Sequence, residues 1–185
     1  MSFFDYSESV NSVERFGIRD DEEGKQLLIN KELEENYQGQ KAKQAKEMPA
    51  FVDYTEKSLW NAEILSDNRN DFNFIAVDNQ IPYFDKDGNQ KTLCDAIVWT
   101  PNTIIFIELK TNDKSWCSKA IVQLESTIEF FKSCEDINKF KHKKPMLVTV
   151  STQNLIISIA IECKSLLKKT ELYFDLKKKL KVLSR

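Results

Sequence analysis

The chain has 185 residues and a formal charge of −2, with 41% hydrophobic, 11% aromatic and 30% charged positions. That length suits one domain, and the apolar fraction is too high for a disordered chain. No apolar run approaches the roughly 20 residues that a bilayer crossing needs, and Met1-Ser2-Phe3-Phe4-Asp5 lacks the basic-then-apolar pattern of a signal peptide; a cytoplasmic protein is expected, with no membrane partner.

Residues 1–50 read as an N-terminal helical arm or dimerisation segment, and 51–185 as the main domain with a basic C-terminal end. Asp20-Asp21-Glu22-Glu23 is placed to cap a helix through Leu27, Leu28 and Leu33, because acids suit a first turn. Residues 38–46 are almost free of apolar side chains and form either an exposed helix or an arm. A second helix is predicted over 55–65, with Leu59, Trp60, Ala62, Ile64 and Leu65 as its apolar positions. From Phe72 the period becomes that of strands: 72–77, a short continuation at 81–84, and a turn at Asp87-Gly88-Asn89. Residues 92–100 and 103–110 then read as two strands joined by a tight turn at Pro101-Asn102.

A long helix is predicted over 113–137, where Trp116, Ala120, Leu124, Ile128 and Phe131 recur at helical spacing. Pro145 introduces a strand over 146–150, Ser151 or Thr152 caps a helix over 154–168, and 170–175 adds a short strand. The order predicts an α/β fold with a mixed sheet, since a helical crossover between strands makes them parallel.

The informative stretch runs from Cys94 to Lys110. If the turn is symmetric about Pro101-Asn102, Trp99 faces Ile104, Ile97 faces Phe106, and Asp95 faces Glu108. The two carboxylates then lie across the ladder with Cβ atoms roughly 4.5–5.5 Å apart, and period-two alternation puts Lys110 on the face of Glu108. Ile104 to Ile107 are apolar on both faces, the mark of a central strand. Facing carboxylates at the end of such a hairpin need a positive charge between them. Lys110 supplies one as a structural ion pair; a divalent cation such as Mg²⁺, which takes oxygen ligands and keeps waters, is the other choice. Metal-assisted phosphodiester hydrolysis needs neither histidine nor cysteine.

On Asp95 and the Glu108-Leu109-Lys110 triplet, the chain resembles the PD-(D/E)xK phosphodiesterases over about residues 55–150. The resemblance implies a restriction-endonuclease-like αβββαβ core with a mixed central sheet flanked by helices. It implies that Asp95 and Glu108 bind Mg²⁺ (or Mn²⁺ in its place), with the Leu109 carbonyl as third ligand, and that Lys110 positions the attacking water. Gln123 resembles the glutamine that many members add to the catalytic set, although Thr127 leaves the Gln-x-x-x-Tyr signature of the RecB-like branch incomplete, and Cys94 stands where the family has proline. A helix-borne glutamate often assists the metal, a role open to Glu56 or Glu63. The implied activity is a Mg²⁺-dependent nuclease acting on DNA, with RNA left open, in a mobile-element, defence or repair context. A homodimer is expected for cutting both strands, and a partner protein from the same operon is a further expectation. The alternative is an inactive restriction-like domain serving as a nucleic-acid-binding or protein-interaction module.

The other reactive residues point less sharply. His142 is the only histidine, so a two-histidine zinc site is excluded and a Ser-His-Asp triad disfavoured; it reads as a solvated loop residue among lysines. Cys94, Cys117, Cys134 and Cys163 lack the spacing of a zinc knuckle and read as reduced thiols, with Cys94 in the core. From Lys139 onward 12 Lys/Arg stand against 3 Asp/Glu, which is either a phosphate-backbone contact surface or a solvated face.

Overall fold

The computed structural model describes residues 2–10, 15–21, 24–25, 28, 48–55, 57–65, 72–110, 116–149 and 175–177. Among them, nine strands and one α-helix form three layers. The strands are β1 (Glu8–Val10), β2 (Arg15–Arg19), β3 (Phe51–Asp53), β4 (Ala62–Leu65), β5 (Phe72–Ala76), β6 (Ala96–Trp99), β7 (Thr103–Lys110), β8 (His142–Thr149) and β9 (Asp175–Lys177), and the helix is α1 (Trp116–Cys134). A six-stranded sheet has the order β1-β5-β6-β7-β8-β9, and a three-stranded sheet the order β3-β2-β4. β5, β6 and β7 are an antiparallel meander; α1 then carries the chain across so that β8 lies parallel to β7. The fold is therefore α/β with a mixed sheet.

Each face of the large sheet has its own core, and the alternation of β7 explains why. Ile104 and Phe106 point to one side, where they pack with Ile75, Ile97, Leu147 and the α1 residues Ala120, Leu124, Ile128 and Phe131. Ile105, Ile107 and Leu109 point to the other, against Phe16, Ile18, Ala62 and Ile64 of the small sheet. A strand buried on both faces reads as continuous apolar sequence. Among the described residues α1 packs on one face of the large sheet and the small sheet on the other.

Corrections follow for individual elements. Residues 55–65 hold a short 3-10 turn at Lys57–Leu59 and then β4, not a helix. Ala62 to Leu65 pair with β2, and Ala62 and Ile64 alternate into the core, so tertiary pairing overrides a helical reading. Residues 81–84 make a single bridge between Phe84 and Gln90, and no strand. β6 starts at Ala96, later than expected. β8 starts at His142, so the histidine stands on a strand, half-buried, with its N–H donated to Asn102 O at 2.9 Å.

Several described residues before residue 50 pair with the rest of the chain. β1 pairs with β5, β2 pairs with β3 and β4, and Phe3 is 2% exposed against Phe130 and Phe131. Those residues are built into the fold. Of the helix expected around 20–33, Gly24, Lys25 and Leu28 are helical and Asp20 and Asp21 are not; the rest, with 38–46, 113–115 and 154–168, lies outside the described residues. The strand expected over 170–175 is described only from Asp175, where β9 begins. Among the described residues no helix is long and apolar enough to cross a membrane.

Candidate active site

The β6–β7 turn closes as its residues suggest. Thr100 and Thr103 exchange main-chain bonds of 2.8 and 3.3 Å, and Thr100 Oγ1 also accepts the Thr103 N–H. The register is the expected one, with Trp99 opposite Ile104 and Ile97 opposite Phe106. The ladder ends at Ala96 opposite Ile107, and Asp95 sits in a bend beyond it. From there the Asp95 carboxylate reaches the next strand, where Oδ2 accepts the Leu109 N–H at 2.6 Å.

This bend is clamped from two sides. On the β5 side, Val77 N–H donates to Asp95 O and Asp78 N–H to Cys94 O, at 3.0 and 3.1 Å. On the α1 side, Thr127 Oγ1 accepts the Cys94 N–H at 2.7 Å and donates to Gln123 O, while Gln123 Nε2 donates to Leu93 O at 2.9 Å. Gln123 thus holds main chain leading into Asp95. Its amide nitrogen is therefore engaged with main chain, two residues before Asp95. Thr127, at the position that leaves the glutamine signature incomplete, is fully buried and does the same work.

Glu108 is 0% exposed and Asp95 6%. Lys110 Nζ pairs with Glu108 Oε1. Neither Glu108 oxygen has a well-formed hydrogen bond among the described residues, and Oε2 has no ion-pair partner there either. A buried carboxylate left in this state is costly unless it is neutralised. Accordingly, burial and then the Asp20 charge push Asp95 up to about 7. Burial, with Asp95 second, holds Glu108 well above the usual carboxylate range, against the pull of Lys110. For Lys110 burial acts downward, but Glu108 beside it wins and raises the ammonium above its ordinary value. Cys94 is a buried thiol, raised by burial and then by Glu108, so it is an inert core residue.

Two acids that sequence reasoning missed join this centre. Asp78 follows β5 in the turn beside Cys94 and Asp95, and its charge raises both Asp95 and Glu108. Asp20 follows β2, where Lys25 Nζ binds it at 2.5 Å and Asn61 Oδ1 accepts its N–H. The signal for Asp78 was an acid at the end of the strand adjoining the motif. Asp20 carried none, since the strand before it was not foreseen. Glu63 does not join: it lies on β4 with Lys57 and Arg15 as its charge partners. Glu56 is outside the described residues.

The basic run lies elsewhere. Lys143 pairs with Ile104 and Leu147 with Glu108, so at about 3.3 Å per residue the lysines stand roughly 13 Å along the sheet from Glu108. β9 covers only Met146 to Val148, which leaves Lys143 and Lys144 on an edge among the described residues, where charge blocks strand-to-strand association.

No protein-family model, no curated protein and no solved structure matches the chain. Among the described residues no three His, Cys, Asp or Glu side chains are grouped to hold one metal ion. Asp95 and Glu108 nonetheless offer what a hard divalent cation requires: carboxylate oxygens, one of them buried without a partner among the described residues.

Proposed function

We propose that the protein is a Mg²⁺-dependent nuclease of restriction-endonuclease-like fold that hydrolyses phosphodiester bonds in DNA. The observation that carries this reading is the fully buried Glu108 beside Asp95, with Lys110 on its Oε1 and no partner among the described residues on its Oε2. The β5–β6–β7–α1–β8 order supports the fold, since it is the βββαβ part of that core. Asp95 and Glu108 would hold the cation, with the Leu109 carbonyl as third ligand. When bound, the metal polarises a phosphoryl oxygen and lowers the pKa of an attacking water. Leu109 N–H fixes the orientation of Asp95. Lys110, a quarter exposed, is the group that meets solvent and substrate, and its ammonium steadies charge that develops on the attacking or phosphoryl oxygen.

A second reading rests on the same bonds. The Asp95 carboxylate is engaged by Leu109 and Glu108 by Lys110, as in a structural network within an inactive, nucleic-acid-binding domain. Cleavage of plasmid, linear DNA and RNA in Mg²⁺ or Mn²⁺ separates the two. The nuclease reading expects metal-dependent cleavage that falls on the order of 100-fold or more in Glu108→Ala and Lys110→Ala, with far-UV circular dichroism unchanged. A wild-type protein that neither cleaves nor binds Mn²⁺ in calorimetry leaves the second reading.

A further inference from the structure

α1 grips the chain just ahead of Asp95 at a single peptide unit. Leu93 C=O and Cys94 N–H lie in the same rigid plane, and side chains of α1 take both of these polar groups. Gln123 Nε2 donates to Leu93 O at 2.9 Å, and Thr127 Oγ1 accepts the Cys94 N–H at 2.7 Å. Residues four apart on a helix stand one above the other on one face, so the pair meets this peptide as an adjoining strand would. The Thr127 hydroxyl proton is used as well, on Gln123 O at 2.7 Å. That bond turns an oxygen lone pair, and not the proton, toward Cys94. Cys94 and Thr127 are fully buried, so water does not make good a bond lost between them. The next peptide is held from the other side, where Cys94 O accepts the Asp78 N–H at 3.1 Å. Beyond it, Asp95 Oδ2 accepts the Leu109 N–H at 2.6 Å.

We propose that Thr127 is a positioning residue for Asp95: with Gln123 it fixes the Leu93–Cys94 peptide, and so holds the Asp95 carboxylate on the Leu109 N–H. Pairing with β7 does not do this, because the ladder ends at Ala96 opposite Ile107 and Asp95 lies past it. Asp95 follows the gripped peptide directly, so a rotation of that peptide swings the carboxylate away from Leu109. Position 127 needs one atom that accepts from Cys94 and donates to Gln123 at once. A hydroxyl does both; an aliphatic side chain does neither. That this placement serves catalysis rests on the metal-dependent reading above, whereas the placement itself needs no metal.

The test is amide hydrogen exchange of the metal-free full chain, read residue by residue by NMR, in wild type, Thr127→Val, Thr127→Ser and Gln123→Met. The Leu109 amide is the readout, because its acceptor is the Asp95 carboxylate itself. The amides of Ile105 and Phe106, in the body of β7, report any general loosening. In Thr127→Val, Leu109 is expected to exchange about 10–100-fold faster than in wild type, beyond the factor common to Ile105 and Phe106. Thr127→Ser keeps the hydroxyl and is expected to bring Leu109 back to within about threefold of wild type. A merely structural Thr127 speeds all these amides by one factor, and that result overturns the proposal. If Thr127→Val does not fold, Gln123→Met applies the same criterion from the other end of the peptide. Calorimetric Mn²⁺ titration of the same samples tests the catalytic use separately: Thr127→Val is expected to bind about 10-fold more weakly than wild type. A local change at Leu109 with no Mn²⁺ bound by wild type upholds the placement and overturns the metal-dependent reading.

Discussion

Asp95 holds its proton more tightly when folded, at about 7, than the 3.8 ordinary for its type. Between those values the folded chain binds more protons than the unfolded one, so stability falls as pH rises through the interval. The stability is intact below the unfolded pKa and lost once pH passes about 7. Glu108, also raised, contributes with the same sign. The metal-free melting temperature is therefore expected to drop between about pH 4 and pH 7, and less steeply in Asp95→Asn, whose amide oxygen still accepts the Leu109 N–H. Differential scanning calorimetry at several pH values checks this; parallel curves for wild type and variant would sink it. Saturating Mn²⁺ should flatten the wild-type curve, because a cation replaces the protons that the centre otherwise needs.

At the scale of elements, the β6–β7 hairpin and α1 bring the centre together, and they were also its most legible parts. A symmetric turn at Pro101-Asn102 sets the observed register, and the spacing of Ala120, Leu124, Ile128 and Phe131 marks the buried stripe of α1. The small sheet was not legible. Ala62 to Leu65 is short and apolar enough to suit a helix or a strand, and only pairing with β2, distant in sequence, decides it. That same miss hid Asp20. The bend at Asp95 was equally invisible, because it depends on Gln123 and Thr127 taking the main-chain groups of Leu93 and Cys94. Replacing Thr127 by the near-isosteric Val leaves the buried Cys94 N–H without an acceptor, for an expected loss of about 1–3 kcal/mol in urea unfolding. Mn²⁺ affinity should fall with it, since Asp95 follows directly; unchanged stability would mean that α1 does not clamp this bend.

The whole molecule depends on its N-terminal residues in a way that a separate arm would not. Ser2 caps the first 3-10 turn (Phe3–Tyr6), and its hydroxyl bonds Glu135 just past the end of α1. Phe3 N–H donates to the same carboxylate at 3.1 Å, and the Phe3 ring stands 5.1 Å from those of Phe130 and Phe131. Two residues past that turn, β1 adds a strand to the large sheet beside β5, whose end leads into the turn at Asp78. The chain start therefore closes the core under α1 and borders the strand that leads into the centre. Phe3→Ala is expected to lower stability by about 3–5 kcal/mol, the usual cost of emptying a buried phenylalanine site. Phe84→Ala, at a ring that is 55% exposed, should stay within about 0.5 kcal/mol of wild type. Urea midpoints of the two variants decide the matter, with equal slopes showing that both unfold from the same compact state. If Phe3→Ala unfolds like wild type, the N-terminal segment is an appendage after all.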